Sequence, residues 1–173
     1  MIEITTDSGK LQSLEMKLFM LQGEKITPLL AGAAKRAAIH AKKIGSKRVR
    51  SIYTIDSGSV KSAIGGIRTI GMGAELRIAG PRKSVGHYKA RQNKRGVYVS
   101  IKKGSGDTLA RSFAWSNTFF QREGKSRTPI KRLFGSAVPQ LFDNPAVHQE
   151  LETAALKKYE ERVAHELSRV IGG

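Results

Sequence analysis

Two stretches of helical periodicity enclose a segment whose hydrophobic pattern is not helical, and this switch constrains the fold more than any other feature. From Thr27 to about Ile52, Leu30, Ala33, Ala34, Ala37, Ala41 and Ile44 make a narrow stripe of small residues. Lys35, Arg36, Lys42, Lys43, Lys47, Arg48 and Arg50 fill the other positions. Threonine suits the N-cap, and Pro28 suits the first turn because its missing N–H would be unpaired there anyway. The helix is expected to loosen near Gly45, and its alanine-rich stripe allows close packing on a sheet or another helix. After Asp143-Asn144-Pro145 a second pattern places Val147, Leu151, Ala155, Tyr159, Val163, Leu167 and Val170 on one side. About 25 residues of helix are roughly 37 Å long, more than a small sheet can cover. The far end is therefore expected to lean on another subunit or on the N-terminal helix. Two shorter helical pieces are expected as well. One follows Asp7-Ser8 to about Gln22 with Leu11, Leu14, Leu18 and Leu21 on one face; the other covers one or two turns from Ser57 to Ile64.

From Gly65 short β-rich runs alternate with turn residues: Ile67–Ala79, Val85–Arg91, Val97–Lys103, Leu109–Trp115, Phe119–Arg122 and Ile130–Phe134. Val97-Tyr98-Val99-Ser100-Ile101 has the branched and aromatic content of a strand. Gly104-Ser105-Gly106-Asp107 and Glu123-Gly124-Lys125-Ser126 suit hairpin turns. The expected fold is α+β: a long N-terminal helix packed on a mostly antiparallel sheet, with a long C-terminal helix. A chain of 173 residues suits a single domain over 1–173, with a helical part (1–64), a basic sheet part (65–138) and the C-terminal helix (139–173).

The charge follows the same division. The net charge is +17, from 31 Lys and Arg against 14 Asp and Glu. Residues 1–26 hold three basic and four acidic groups, and residues 145–173 hold four and five; residues 27–144 hold 24 and five, a net +19. Such a field attracts polyanions and opposes self-association unless it is neutralised or faced away. The chain has no cysteine, which excludes disulfide frameworks, thiolate zinc sites and cysteine nucleophiles. The opening MIEITTDSGK lacks the pattern of a secretory signal, and no apolar run is long enough to span a membrane.

Motifs that would carry catalysis are missing. Gly71-Met72-Gly73 and Gly104-Ser105-Gly106 are followed by Leu76 and Leu109 where a dinucleotide fingerprint needs its third glycine. These glycines are expected to serve turns and bends. No pair among His40, His87, His148 and His165 has i, i+4 spacing, so no metal is expected. His165 lies near a helix C-terminus, where an imidazolium is mildly favoured. Glu75, Asp107 and Glu123 are too few and too scattered for paired acid–base work. No catalytic residue and no cofactor are expected.

The most site-like stretch is Gly80 to Gly96, with Arg82, Lys83, Lys89, Arg91, Lys94 and Arg95 and no acid. Lys and Arg neutralise phosphates and release counterions, and aromatic rings such as Tyr88 can stack on bases. One tyrosine is thin support for stacking, so a flexible loop or extended hairpin contacting a nucleic-acid backbone or an acidic protein is favoured. Lys102, Lys103, Arg122, Lys125 and Arg127 extend the basic set along the following strands and turns. Phe119, Phe120 and Phe134 are expected to fill the core, and Gly135 and Pro139 to set the entry angle of the last helix.

Several of these segments resemble the minor tail protein Z family of long-tailed phages and prophages. They are Tyr88-Lys89-Ala90-Arg91 followed by Gly96 to Gly104, the Phe119-x-x-Arg122-x-Gly124-Lys125 run, and Arg127-x-Pro129-Ile130-x-Arg132-Leu133-x-Gly135-x-x-Val138-Pro139-Gln140. The closing helix, with Arg162 and His165-Glu166, also fits, so the likeness covers roughly residues 85–170. The Pro-Ile-x-Arg-Leu-x-Gly-x-x-Val-Pro-Gln run is its most specific element; Ser136 stands where the family pattern has proline. The resemblance implies a structural virion protein that completes the head-proximal end of the tail, helps join tail to head and positions the DNA end. It implies an α+β fold, no catalytic residues and no cofactor. Its partners would be other tail or connector proteins and virion DNA contacted through the backbone. It would be made in the bacterial cytoplasm, and it would be a homo-oligomer when assembled and a monomer in isolation, with the near-neutral terminal helices as subunit contacts. The other reading of the same charge is a free basic nucleic-acid-binding accessory protein.

Overall fold

The computed structural model describes residues 26–171. The helix expected over Asp7–Gln22 lies outside them. The fold is α+β, with a long helix α1 (Ile26–Ile52), a short helix α2 (Ser57–Ala63), ten strands, a short helix α3 (Val138–Phe142) and a long C-terminal helix α4 (Pro145–Ile171). The chain groups into two compact units. One takes residues up to Gly45, Ile64–Ile78 and residues from His148 onward; the other takes Ser46–Ala63 and Ala79–Val147. The grouping cuts across the three consecutive parts expected from sequence, because residues 65–78 belong to the first unit and the other strands to the second.

In the first unit, the small-residue stripe of α1 is buried at Leu30, Ala33, Ala34, Ala37, Ala38 and Ala41. Leu30 and Ala33 meet Val163 of α4, flanked by Ile26, Leu29, Tyr159 and Leu167. Burying a leucine or valine in this way contributes about 1.5–3 kcal/mol each. Alanine keeps the contact close, and Arg36 Nη1 reaches Glu166 Oε1 at 2.5 Å. The far end of the last helix therefore leans on the long helix of its own chain, one of the two contacts expected for it. Helix α1 runs unbroken through Gly45, and Thr27 lies within its first described turn instead of before it. The β-rich run Ile67–Ala79 is a hairpin of β1 (Ile64–Ile70) and β2 (Gly73–Ile78) turning at Gly71-Met72, where the glycines serve a turn.

The second unit carries the remaining eight strands. They are β3 (Arg82–Ser84), β4 (Lys89–Asn93), β5 (Gly96–Ser100), β6 (Asp107–Ala110), β7 (Ser112–Trp115), β8 (Thr118–Arg122), β9 (Ile130–Arg132) and β10 (Phe134–Ala137). They form sheets ordered β4-β5-β6, β7-β8-β9 and β10-β3, and every pairing among the described strands is antiparallel. Small sheets arise because the chain breaks twice. At Arg111 (φ 57) β6 gives way to β7, and the buried Ser112 hydroxyl repairs the ladder by accepting Val97 N–H at 2.7 Å and donating to Leu109 O. At Leu133 the chain changes partners: its N–H donates to Phe119 O at 2.8 Å and its carbonyl accepts from Val85 N–H at 3.2 Å. β9 thus pairs with β8, and β10 with β3. Both turns expected from sequence connect strands as hairpins, β5 to β6 and β8 to β9. Gly104 (φ 76) takes the left-handed conformation that the first of them needs.

Candidate polyanion-binding surface

The eleven basic residues singled out from sequence all lie in the second unit, and they do not form one cluster. Lys89 and Arg91 stand on β4, opposite Ser100 and Tyr98 of β5. The Arg91 guanidinium lies 5.5 Å from the centre of the Tyr98 ring. Lys94 and Arg95 form the tip of this hairpin, between Asn93 and Gly96. Lys102 and Lys103 lie beyond its other end, roughly 20 Å away at the rise of a strand. There Lys103 N–H donates to Ile52 O. Arg82 and Lys83 are on β3, and Arg82 Nε donates to Gly135 O at 3.2 Å. Arg122 ends β8, donates to Arg127 O at 3.0 Å and covers the Phe113 ring at 5.0 Å. Lys125 and Arg127 are exposed in the β8–β9 loop. By sequence the second unit holds 18 basic and four acidic groups, net +14, and the first 13 and ten, net +3.

Of the two forms expected for the Gly80–Gly96 stretch, the structure has the hairpin: a strand and one 3-10 turn (Val85–His87) lead into β4, which pairs with β5. One expectation about it is corrected. Tyr88 cannot stack on a base: it is only 6% exposed and its hydroxyl donates to Ser136 O at 2.8 Å. Burial, with the Asp56 carboxylate and Tyr53 adding to it, pushes this phenol up to about 12. Phe134 is corrected too. It is 46% exposed, under the Arg132 guanidinium at 5.5 Å, and Phe119 and Phe120 are only half-buried.

The most specific resembling segment turns out to be packing and capping. Leu133 and Val138 are buried. Gly135 lies against the Tyr88 ring, so close that a Cβ there would sit 2.6 Å from Cε2. Pro139 occupies the first turn of α3, and Gln140 Oε1 accepts the Ala137 N–H at 3.0 Å. The Tyr88 segment and the Gly135 segment therefore interlock, although nothing local in the sequence joins them.

One group was not visible in the spacing. Asp56 precedes α2, and its Oδ1 accepts the Ser59 N–H at 2.7 Å, as an N-cap does. Its Oδ2 meets His87 Nδ1 at 2.9 Å, and Ser59 Oγ meets the same Nδ1 at 2.9 Å. A hydrolytic relay needs the serine and the carboxylate on opposite ring nitrogens. Sharing Nδ1 makes this a structural lock between α2 and the 3-10 turn. Burial alone would raise the Asp56 carboxyl, but hydrogen bonds from the Ser59 N–H and hydroxyl and from His87 outweigh it and hold it below the usual range. Among the described residues no group of three His, Cys, Asp or Glu is placed to hold a metal, and no helix is long and apolar enough to cross a membrane.

The fold and this surface define a basic α+β protein whose charge lies mostly on one antiparallel unit. No family model, curated protein or solved structure matches the chain.

Proposed function

We propose that this protein is a structural minor tail protein of a long-tailed phage or prophage. It completes the head-proximal end of the tail and aids head–tail joining and placement of the DNA end, and it performs no catalysis. The observation that carries the reading is the interlock of the two resembling segments, Tyr88 against Gly135 and Ser136. Residues from two separate resembling segments thus meet in one packed unit, and that unit also holds most of the excess charge. Lys89, Lys94, Arg95, Lys102 and Lys103 are exposed, at the edges and tips where a polyanionic strand or an acidic neighbouring protein can reach them.

The test is complementation of a gene deletion in the phage or induced prophage that encodes the chain. Negative-stain microscopy would count joined particles. Deletion should leave unjoined heads and tails. Changing the five exposed basic residues to serine, with Arg82 kept because it holds Gly135 O, should reproduce that defect while the protein stays folded. Normal yields of joined, infectious particles from the deletion would end the tail reading.

The net +14 of the second unit favours one other reading, a free nucleic-acid-binding accessory protein. It requires purified protein to bind duplex DNA with log K falling against log salt at a slope of roughly −4.5, as for about five neutralised phosphates.

A further inference from the structure

We propose that the outer face of the β7–β8–β9 sheet is a binding site for single-stranded DNA, taking unpaired bases on its rings and the strand's phosphates on its arginines. Pairing opposes Phe113 to Phe120, Trp115 to Thr118, and Phe120 to Arg132. Directly opposed residues share a face and alternate residues return to it, so Phe113, Trp115, Phe120, Arg122 and Arg132 lie on one side. The contacts agree. Phe113 and Phe120 stack with centroids 6.0 Å apart, and Trp115 tilts onto Phe120 at 5.9 Å. Arg122 covers Phe113 at 5.0 Å, and Arg132 covers the neighbouring Phe134 at 5.5 Å. The opposite side carries the buried Ser112 and the half-buried Phe119, which lies near Gly86, with Ala114 and Lys131 exposed.

This face is open at its edges: Trp115 is 64% exposed, Ile130 and Arg132 are exposed, and Phe113, Phe120 and Arg122 are half-buried. Its charge selects the occupant, because the residues facing outward include two arginines and no acid. An apolar partner would leave those guanidinium groups without counter-charge. A polyanion whose units each carry a flat ring satisfies both features, since bases stack on aromatic rings and on guanidinium planes alike. Duplex DNA hides its base faces and so cannot use the rings. Rings and guanidinium planes stack the bases of either sugar, so the comparison of oligo(dT) with oligo(U) decides between a deoxy and a ribo strand. Three strands at about 4.8 Å and four residues at about 3.4 Å give a platform of roughly 10 by 13 Å, room for about two or three stacked bases. The site does not depend on the tail reading.

Trp115 is the only tryptophan in the chain, so its fluorescence reports this face alone. Oligo(dT) of about ten nucleotides should quench it in the purified full-length protein, and a blunt duplex of equal phosphate content should not. Trp115→Ala should weaken oligo(dT) binding, followed by anisotropy of a labelled strand, by about 5- to 150-fold, the range for losing one stacked base. Trp115→Phe should restore most of the affinity. The unmodified protein carries the first test, so misfolding of a variant cannot hide the answer. The proposal is overturned by unchanged fluorescence with oligo(dT), by equal quenching with duplex, or by Trp115→Ala binding as tightly as the parent. Tighter binding of oligo(U) than oligo(dT), or quenching by polyglutamate and not by oligo(dT), would overturn it in favour of RNA or an acidic protein.

Discussion

Gly135→Ala should destabilise the protein by about 2–4 kcal/mol, and it should do so only while Tyr88 is present. An added Cβ would lie 2.6 Å from Tyr88 Cε2, 3.0 Å from Cδ2 and 3.3 Å from Cζ. The ring cannot swing away freely, because it is buried and its hydroxyl is held by Ser136 O at 2.8 Å. Overpacking of this kind costs about 1–3 kcal/mol, and tilting the ring adds the loss of one hydrogen bond, about 1 kcal/mol. Tyr88→Ala removes the ring and costs about 3–5 kcal/mol on the scale of aromatic-to-alanine truncation. In that background the methyl group of Gly135→Ala enters empty space and should cost under about 0.5 kcal/mol. The two changes should therefore couple by about 2 kcal/mol. That is a large share of a total stability near 5–15 kcal/mol. Urea unfolding followed by circular dichroism would read each midpoint, with the slope unchanged across the set. If the double variant equalled the sum of the singles within about 0.5 kcal/mol, the close approach would not be what makes glycine necessary here.

Asp56→Ala should cost about 1 kcal/mol through loss of the α2 cap, read as a lower urea midpoint. Because the Asp56 carboxyl is held low in the folded state, its stabilisation is present above its ordinary value of 3.8 and is lost as pH falls through the folded value; the acid limb of the parent should flatten in Asp56→Ala. Tyr88 acts at the other end. Its phenol is raised from 10 to about 12, so its contribution is full below pH 10 and declines as pH rises from 10 towards 12, a decline that Tyr88→Phe should remove. Ser116 (φ 47) and Asn117 (φ 57) form a two-residue turn between Trp115 and Thr118 with both residues left-handed. Replacing them by Asn-Gly should raise the unfolding midpoint by up to about 1 kcal/mol equivalent. Glu166→Gln should lower the thermal midpoint by uncoupling Arg36 and Arg169 from one carboxylate, which the hydrogen bond from Arg36 holds below its ordinary value of 4.5.

The long helices were legible because their signal is local and repeated. Leu30 to Ala41 and Val147 to Val163 return to one face every three or four residues, and the structure buries that face. β5 and β8 were legible from branched and aromatic content, and Gly104 from the turn it permits. What the sequence did not mark was where some strands break and turn. The β1–β2 and β7–β8 hairpins turn on two residues each; in the second of these the left-handed positions are Ser116 and Asn117, with no glycine to mark them. Arg111 breaks a run that reads as one strand, and nothing in its neighbours announces a left-handed arginine. Tyr88 read as exposed because its neighbours are basic, whereas its burial is fixed by Gly135, far along the chain. The lock of His87 with Asp56 and Ser59 is equally remote. The basic residues were legible as a set, but not their spread over three sheets.

The two kinds of basic residue in the second unit do different work, and this bears on what the charge is for. Arg82 holds a backbone carbonyl, Arg91, Arg122 and Arg132 cover aromatic rings, and Arg122 holds a second carbonyl. Guanidinium suits these tasks because it is planar, weakly hydrated and rich in donors. Lys89, Lys94, Lys102, Lys103 and Lys125 are exposed and have no side-chain partner among the described residues. These contacts give the arginines a role within the fold, beside any ligand that the β7–β8–β9 face takes, and the lysines have no such role. Lysines spread over one unit with only four acids leave it with a positive field, which costs stability unless a counter-charge arrives. A chain needing solubility alone gains as much from charges of both signs, interspersed. The uncompensated lysines are thus the part of the positive charge that a polyanion accounts for and the fold does not.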